Sequence, residues 1–151
     1  MNKLLQKMSM MSLLVFFSCS SQKSINLGYK MNENSQSTSK ILIPSGALVD
    51  AVTSQYNNNS FTIGVNDNKT VVYISTIDPN FEIKGFKIND DISKIFESSK
   101  VHYTIGWGYY IKIDSDWYAG FDISSKPNKN SKIQWLFNYK FSEGSRNLFI
   151  K

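Results

Sequence analysis

The chain reads as an α+β domain dominated by an antiparallel sheet of about five to seven strands, with an aromatic-rich face packed against one or two short helices. Three observations carry that expectation. Apolar and polar residues alternate from Tyr103 to Phe141, and again over Phe61 to Val65 and Val72 to Ile74, the spacing that sends alternate side chains to one face of a strand. Between these regions Ile88, Ile92, Ile95 and Phe96 recur at helical spacing. Aromatic residues make up 14% of the chain, and in the last third they occupy the alternating positions themselves.

The amino terminus has a different grammar. Met1 to Lys7 carries Lys3 and Lys7, Met8 to Phe17 is apolar apart from Ser9 and Ser12, and Ser18 precedes Cys19, the only cysteine. An apolar run of about ten residues spans about 15 Å as a helix, half of the ~30 Å hydrocarbon core, so it is too short to cross a membrane. The arrangement resembles a bacterial lipoprotein export signal, with Phe16 where the usual pattern has Leu. That resemblance implies cleavage before Cys19, acylation of its thiol and new amino group, and a lipid bilayer as the first partner. Ser20 is not the Asp that retains some lipoproteins at the inner membrane, and Ser20 to Ser24 lacks an acidic run. By analogy the expected address is the cell envelope, lipid-anchored on the periplasmic face of the outer membrane.

Residues 1–18 are thus read as signal peptide, 19–40 as lipidated cysteine plus flexible tether, and 41–151 as one α+β domain. The full chain carries 17 basic and 12 acidic residues. Loss of Lys3 and Lys7 leaves the mature protein with 15 against 12, so the net charge overstates how basic the working protein is. An exported protein does not meet the genome, which excludes nucleic acid, and a chain whose only thiol is acylated has no internal disulfide. Ser20 to Lys40 is rich in Ser, Asn, Gln and Lys, a composition that buries little apolar surface. It reads as a tether, although the alternation of Ile25, Leu27 and Tyr29 also suits a strand at the sheet edge.

Pro44-Ser45-Gly46 makes a helix start signal for Gly46 to Gln55, whereas Val49, Val52 and Thr53 weaken it, and the sequence leaves the two states open. Asp67-Asn68 is expected as a two-residue turn that pairs Ile63 with Val72 and Phe61 with Ile74. Asn89-Asp90-Asp91 is expected to cap a short helix ending near Ser99, its carboxylates suited to the positive end of the dipole. From Tyr103 onward three strands are expected, with odd positions facing the core. A three-residue loop at Asp114-Ser115-Asp116 pairs Ile113 with Trp117, Ile111 with Ala119, Tyr109 with Phe121 and Trp107 with Ile123.

Phe61-Thr62-Ile63-Gly64-Val65 resembles Tyr103-Thr104-Ile105-Gly106-Trp107. Leu48, Ala51 and Val52 share the spacing of Ile92, Ile95 and Phe96, so each half reads either as helix followed by strands or as a coincidence among strand formers. As a repeat, the plan is similar to the tandem helix-plus-sheet domains of the beta-lactamase inhibitor protein, and more distantly to small lipoproteins accessory to outer-membrane barrel assembly. Residues 80–121, with Gly85-Phe86-Lys87-Ile88, Gly106-Trp107-Gly108-Tyr109-Tyr110 and Trp117-Tyr118-Ala119-Gly120-Phe121, also resemble uncharacterised bacterial lipoproteins. None of these resemblances implies an activity, a cofactor or a site residue.

The residues that could carry chemistry are few. His102 is the only histidine, which excludes a multi-histidine metal site, and no nucleophile-elbow motif surrounds any serine. Gly106-Trp107-Gly108 lacks the third glycine of a dinucleotide loop. Asp114-x-Asp116 departs from a calcium loop at Ala119 and Ser125, where that loop needs Gly and Glu. No cofactor is expected. On the even face of the last hairpin Tyr110 lies opposite Gly120 and Lys112 opposite Tyr118, with Asp122, Gln134 and Asn138 nearby. The rings either cover glycine gaps as packing or form a shallow platform, Tyr110, Tyr118, Lys112 and Asp122, for a sugar or a protein partner. The expected function is a non-enzymatic binding or assembly lipoprotein. The alternatives are a sugar-binding module and a hydrolase using Asp116 and Asp122.

Overall fold

The computed structural model describes residues 26–32 and 39–141. Cys19, the signal segment and the last ten residues lie outside them. Eight strands form one fully antiparallel sheet: β1 (Ser39–Leu42), β2 (Leu48–Tyr56), β3 (Asn59–Val65), β4 (Val71–Thr76), β5 (Val101–Thr104), β6 (Gly108–Lys112), β7 (Trp117–Phe121) and β8 (Trp135–Asn138), in the spatial order β1-β2-β3-β4-β8-β7-β6-β5. The described helix is one turn, α1 (Ser93–Phe96). The dominant antiparallel sheet is as expected, but there are more strands than five to seven and far less helix.

The order describes two four-stranded meanders joined through β4 and β8 at the centre. A two-fold relation between the halves would match β3 with β7, not with β5, so the five-residue similarity between Phe61–Val65 and Tyr103–Trp107 does not follow the topology. Among the described residues the first half also has no helix. Gly46 to Gln55 becomes the β1–β2 turn and most of β2, because Pro44 and Gly46 (φ 83°) build the turn, with Ile43 N–H donating to Ala47 O at 3.0 Å, and Val49, Val52 and Thr53 favour the strand.

Three registers show how local chemistry sets pairing. Asn57 (φ 49°) and Asn58 (φ 63°) form a two-residue β2–β3 turn of the twist that hairpins prefer. The β3–β4 turn is wider than Asp67-Asn68: Asn66 accepts on its side-chain oxygen from the N–H of Asn68 (3.1 Å) and Thr70 (2.9 Å). Ile63 therefore pairs with Ile74 rather than Val72, a two-residue shift with a bulge at Gly64/Val65. Shifts of two keep side chains on the same face, which is why alternation alone could not exclude it. At Asp114–Asp116 the expected register holds, with Ile111 opposite Ala119 and Tyr109 opposite Phe121. It does not extend to Trp107 and Ile123, because the chain reverses at Ile105–Trp107 around Gly106 (φ 76°), making β5 and β6 two strands.

The sheet curls until its two ends meet. Trp107 Nε1 donates to Leu42 O at 3.2 Å across 65 residues, tying the β5–β6 turn to β1. Ile41, Ile43 and Val49 from one end then pack with Tyr73, Phe137, Tyr118 and Tyr110 inside the curl. The outer face is covered too. Phe81, Ile83, Phe86, Ile88, Ile92, Ile95 and Phe96 of the β4–β5 connection lie on Ile111, Ala119, Phe121 and Leu136, while Leu27 and Met31 lie on the β3–β4 half.

Residues 26–32, read from sequence as tether or as a strand at the sheet edge, lie against the β3–β4 turn and β4. Gly28 N–H donates to Val71 O, Val71 N–H to Tyr29 O and Met31 N–H to Lys69 O, all at 2.8–2.9 Å. The first turn of the expected helix is displaced as well. Asn89 adopts φ 70°, so Ile88 cannot start a helix, and the Asp90 carboxylate accepts from Lys87 N–H while Asp91 accepts from Ser93 N–H.

Candidate functional site

The last sheet pairing decides where the sequence-predicted platform lies. β7 and β8 are joined by residues 122–134, not by a tight hairpin, so parity is free, and Tyr118 pairs with Phe137 and Ala119 with Leu136. Trp135, Phe137 and Tyr139 consequently join the even face of β6 and β7 inside the curl, which corrects the expectation that all odd positions share one core face. Asn138 pairs with Trp117 on the opposite face and Gln134 is exposed, so neither joins the platform.

Tyr110 and Tyr118 come together as expected, with ring centroids 5.7 Å apart in an edge-to-face arrangement. They are 7% and 4% exposed, which makes them walls of the interior rather than an open surface. Tyr110 is held between two parallel rings, His102 at 5.2 Å and Phe141 at 5.0 Å. Tyr118 stacks on Phe137 at 5.1 Å. Burial raises the Tyr110 phenol above its ordinary range, partly offset by a hydrogen bond with Thr104, and the buried Tyr73 phenol is pushed up to about 12. Both are neutral hydroxyls at any physiological pH.

The gap over Gly120 is filled by neither tyrosine. The Trp135 indole lies across it so closely that a Cβ there would sit 2.1–2.6 Å from three indole atoms. Asp122 also leaves the predicted group. It follows β7 at the end away from Lys112 and accepts from Ser124 N–H at 2.7 Å, and the hydrogen bonds from Ser124 hold its carboxyl below the usual range.

What remains accessible is a shallow hollow of about 140 Å³ lined by His102, Tyr110, Lys112, Tyr118 and Phe141. Lys112 sits exposed on β6 directly opposite Tyr118, and among the described residues it makes no ion pair. His102 and Phe141 were not in the sequence-derived set. The glycine pair at 106 and 108 could have signalled the hairpin that brings His102 opposite Tyr110, and Phe141 ends the aromatic alternation.

Two other hollows, of about 360 and 120 Å³, are lined by polar groups that bond mainly to one another. At the β3–β4 end, Asp78 accepts from Ser60 N–H and Asn80 N–H, and Thr76 Oγ1 donates to Ser60 O. Beside α1, the carboxylates of Asp90 and Asp91 serve Lys87 N–H, Ser93 and Lys132. Among the described residues no three His, Cys, Asp or Glu side chains gather as a metal would require, and no helix is long and apolar enough to cross a membrane. Asp116 and Asp122 flank β7 at its two ends, about 20 Å apart at ~3.3 Å per residue, beyond the separation of a two-carboxylate hydrolytic pair. The chain matches no family model, no curated protein and no solved structure.

Proposed function

We propose that this protein is a lipid-anchored cell-envelope lipoprotein, acylated at Cys19, that works as a non-enzymatic binding module through the hollow of His102, Tyr110, Lys112, Tyr118 and Phe141. The observation that carries the binding role is Lys112. It is a cation without an ion pair among the described residues, set at the mouth of a hollow otherwise walled by aromatic rings, where an aromatic body and a fixed charge together give a partner both contact area and orientation. The export-signal grammar of residues 1–19 supports the address, and no nucleic acid or cofactor enters the reading. Docking of residues 26–32 shortens the leash. Only six residues separate Cys19 from Asn26, so the anchored domain is held within about 25 Å of the acylated cysteine.

Photo-crosslinking in the native envelope tests the binding role. With p-benzoylphenylalanine in place of Phe141, a discrete adduct is expected. The same probe in place of Tyr29, exposed on the far side of the sheet, is expected to give none. Equal adducts from both positions, or none from Phe141, would remove the hollow from the reading. Metabolic labelling with palmitate tests the anchor, and Cys19→Ser is expected to abolish it.

A further inference from the structure

The lining of the hollow specifies a ligand more narrowly than its existence does. We propose that it takes the acidic end of a glycan, a single saturated sugar ring bearing a carboxylate; this inference rests on the reading of the hollow as a binding site in the envelope.

Charge comes first. The hollow is lined by His102, Tyr110, Lys112, Tyr118 and Phe141, with no carboxylate among them. The nearest acidic residue along β6 is Asp114, two positions beyond Lys112, and its carboxylate is engaged by Lys84 at 3.8 Å. Asp116 lies past the turn and offers its backbone carbonyl to Tyr139 N–H. Among the described residues Lys112 therefore has no ion-pair partner, and beside an apolar wall its ammonium gives a carboxylate a charge-assisted hydrogen bond that a hydroxyl cannot match.

Shape comes second. A volume of about 140 Å³ is well below the 300–1,000 Å³ typical of drug-sized sites, so one ring fits and an extended ligand does not enter. The wall is aromatic and its rings are locked. Phe141 meets Tyr118 edge-to-face at 5.2 Å and stacks on Tyr110, which stacks in turn on His102. The partly exposed rings of His102 and Phe141, held in place by the buried tyrosines behind them, cover the C–H face of a saturated ring at little entropic cost, while the ring's hydroxyls stay at the open mouth in water. Tyr110 and Tyr118 are too deeply packed to rearrange around a bulkier guest.

The test uses the full lipidated chain in detergent micelles, titrated with a glucuronic-acid trisaccharide, a glucose trisaccharide and an acidic tripeptide. Intrinsic fluorescence is the readout, since Trp107 lies 5.7 Å from Tyr110. The acidic sugar is expected to bind at least tenfold more tightly than either other probe. Lys112→Gln is expected to weaken it about tenfold, Lys112→Arg to retain it, and Lys126→Gln, in the distant β7–β8 connection, to leave it unchanged. Equal affinity for the neutral sugar, preference for the acidic peptide, or indifference to Lys112→Gln would overturn the proposal. A chain that forms an adduct from position 141 in the envelope yet ignores the acidic sugar overturns this inference and leaves the binding role standing, whereas absence of both removes the role itself.

Discussion

Gly120 shows how tightly single residues are committed on the inner face. Its cross-strand partner Trp135 lays its indole over the missing side chain, and both lie on interior strands, β7 and β8. Gly120→Ala is expected to destabilise the domain by about 1–3 kcal/mol, because a ring locked among Trp107 and its neighbours must move to admit the methyl. Urea denaturation measures it, and an unchanged midpoint would mean that Trp135 yields freely. Tyr110 and Tyr118 carry a related lesson. An exposed platform would survive Tyr→Ala, but these rings are core, and each truncation is expected to cost about 3–5 kcal/mol. Lys112→Gln, at an exposed position, is expected to stay within about 0.5 kcal/mol of wild type, so it separates binding from folding as the tyrosine variants cannot. The pairing of Tyr110 with Gly120 and of Lys112 with Tyr118 was legible in the sequence, because a three-residue loop and strict alternation leave one register. Burial of that face was not. It depends on β1 folding over it, a contact between residues 65 positions apart.

At the scale of elements, turns decide what alternation cannot. The three consecutive asparagines at 57–59 hold the signal for the β2–β3 hairpin, since Asn tolerates the positive φ that both turn residues adopt. Replacing Asn57 and Asn58 together by Ala is expected to cost about 1–2 kcal/mol, whereas Asn58→Gly is expected to be neutral or mildly stabilising. Helix signals misled for the opposite reason. The stripe Ile88, Ile92, Ile95 and Phe96 does face the core, but the caps at Asn89 to Asp91 are spent on a loop that pairs with Lys132 and Ile133. One helical turn is what remains. Residues 26–32 look like linker by composition, and only Leu27 and Met31 mark the docking face. Hydrogen exchange tests their place in the fold: the amides of Gly28 and Met31, which donate to Val71 and Lys69 carbonyls, are expected to exchange as slowly as amides in the neighbouring strands. Exchange at the unprotected rate would return the segment to the tether.

For the whole molecule, a sheet buried on both faces explains how a chain with a single cysteine, and so no internal disulfide, is held together, and also why its sequence looks simpler than its fold. Alternation reads as one buried face; here the polar positions of β6 and β7 are largely glycine and tyrosine, which pack as readily as they solvate. Burial of neutral phenols gives a pH signature. The Tyr73 phenol titrates near 12 in the folded state against about 10 when unfolded. Its contribution is complete below pH 10 and is lost as pH rises toward 12, about 2–3 kcal/mol in all, with Tyr110 acting in the same direction. Denaturation midpoints that stay flat from pH 9 to 11.5 would contradict the buried assignment. At the acid end, Asp50, Asp78, Asp91 and Asp122 are held below the usual carboxylate range by lysine or by hydroxyl and backbone donors, so stability is expected to decline as pH falls through their lowered values.

Anchoring and recognition meet in one measurement, crosslinking in intact cells from p-benzoylphenylalanine at position 141, with and without Cys19→Ser. An anchored binding module predicts a discrete adduct from the Cys19 chain that is lost when acylation is blocked, while purified protein of both kinds binds the acidic sugar alike. An adduct that persists undiminished in the Cys19→Ser chain, or no adduct in either, would contradict it.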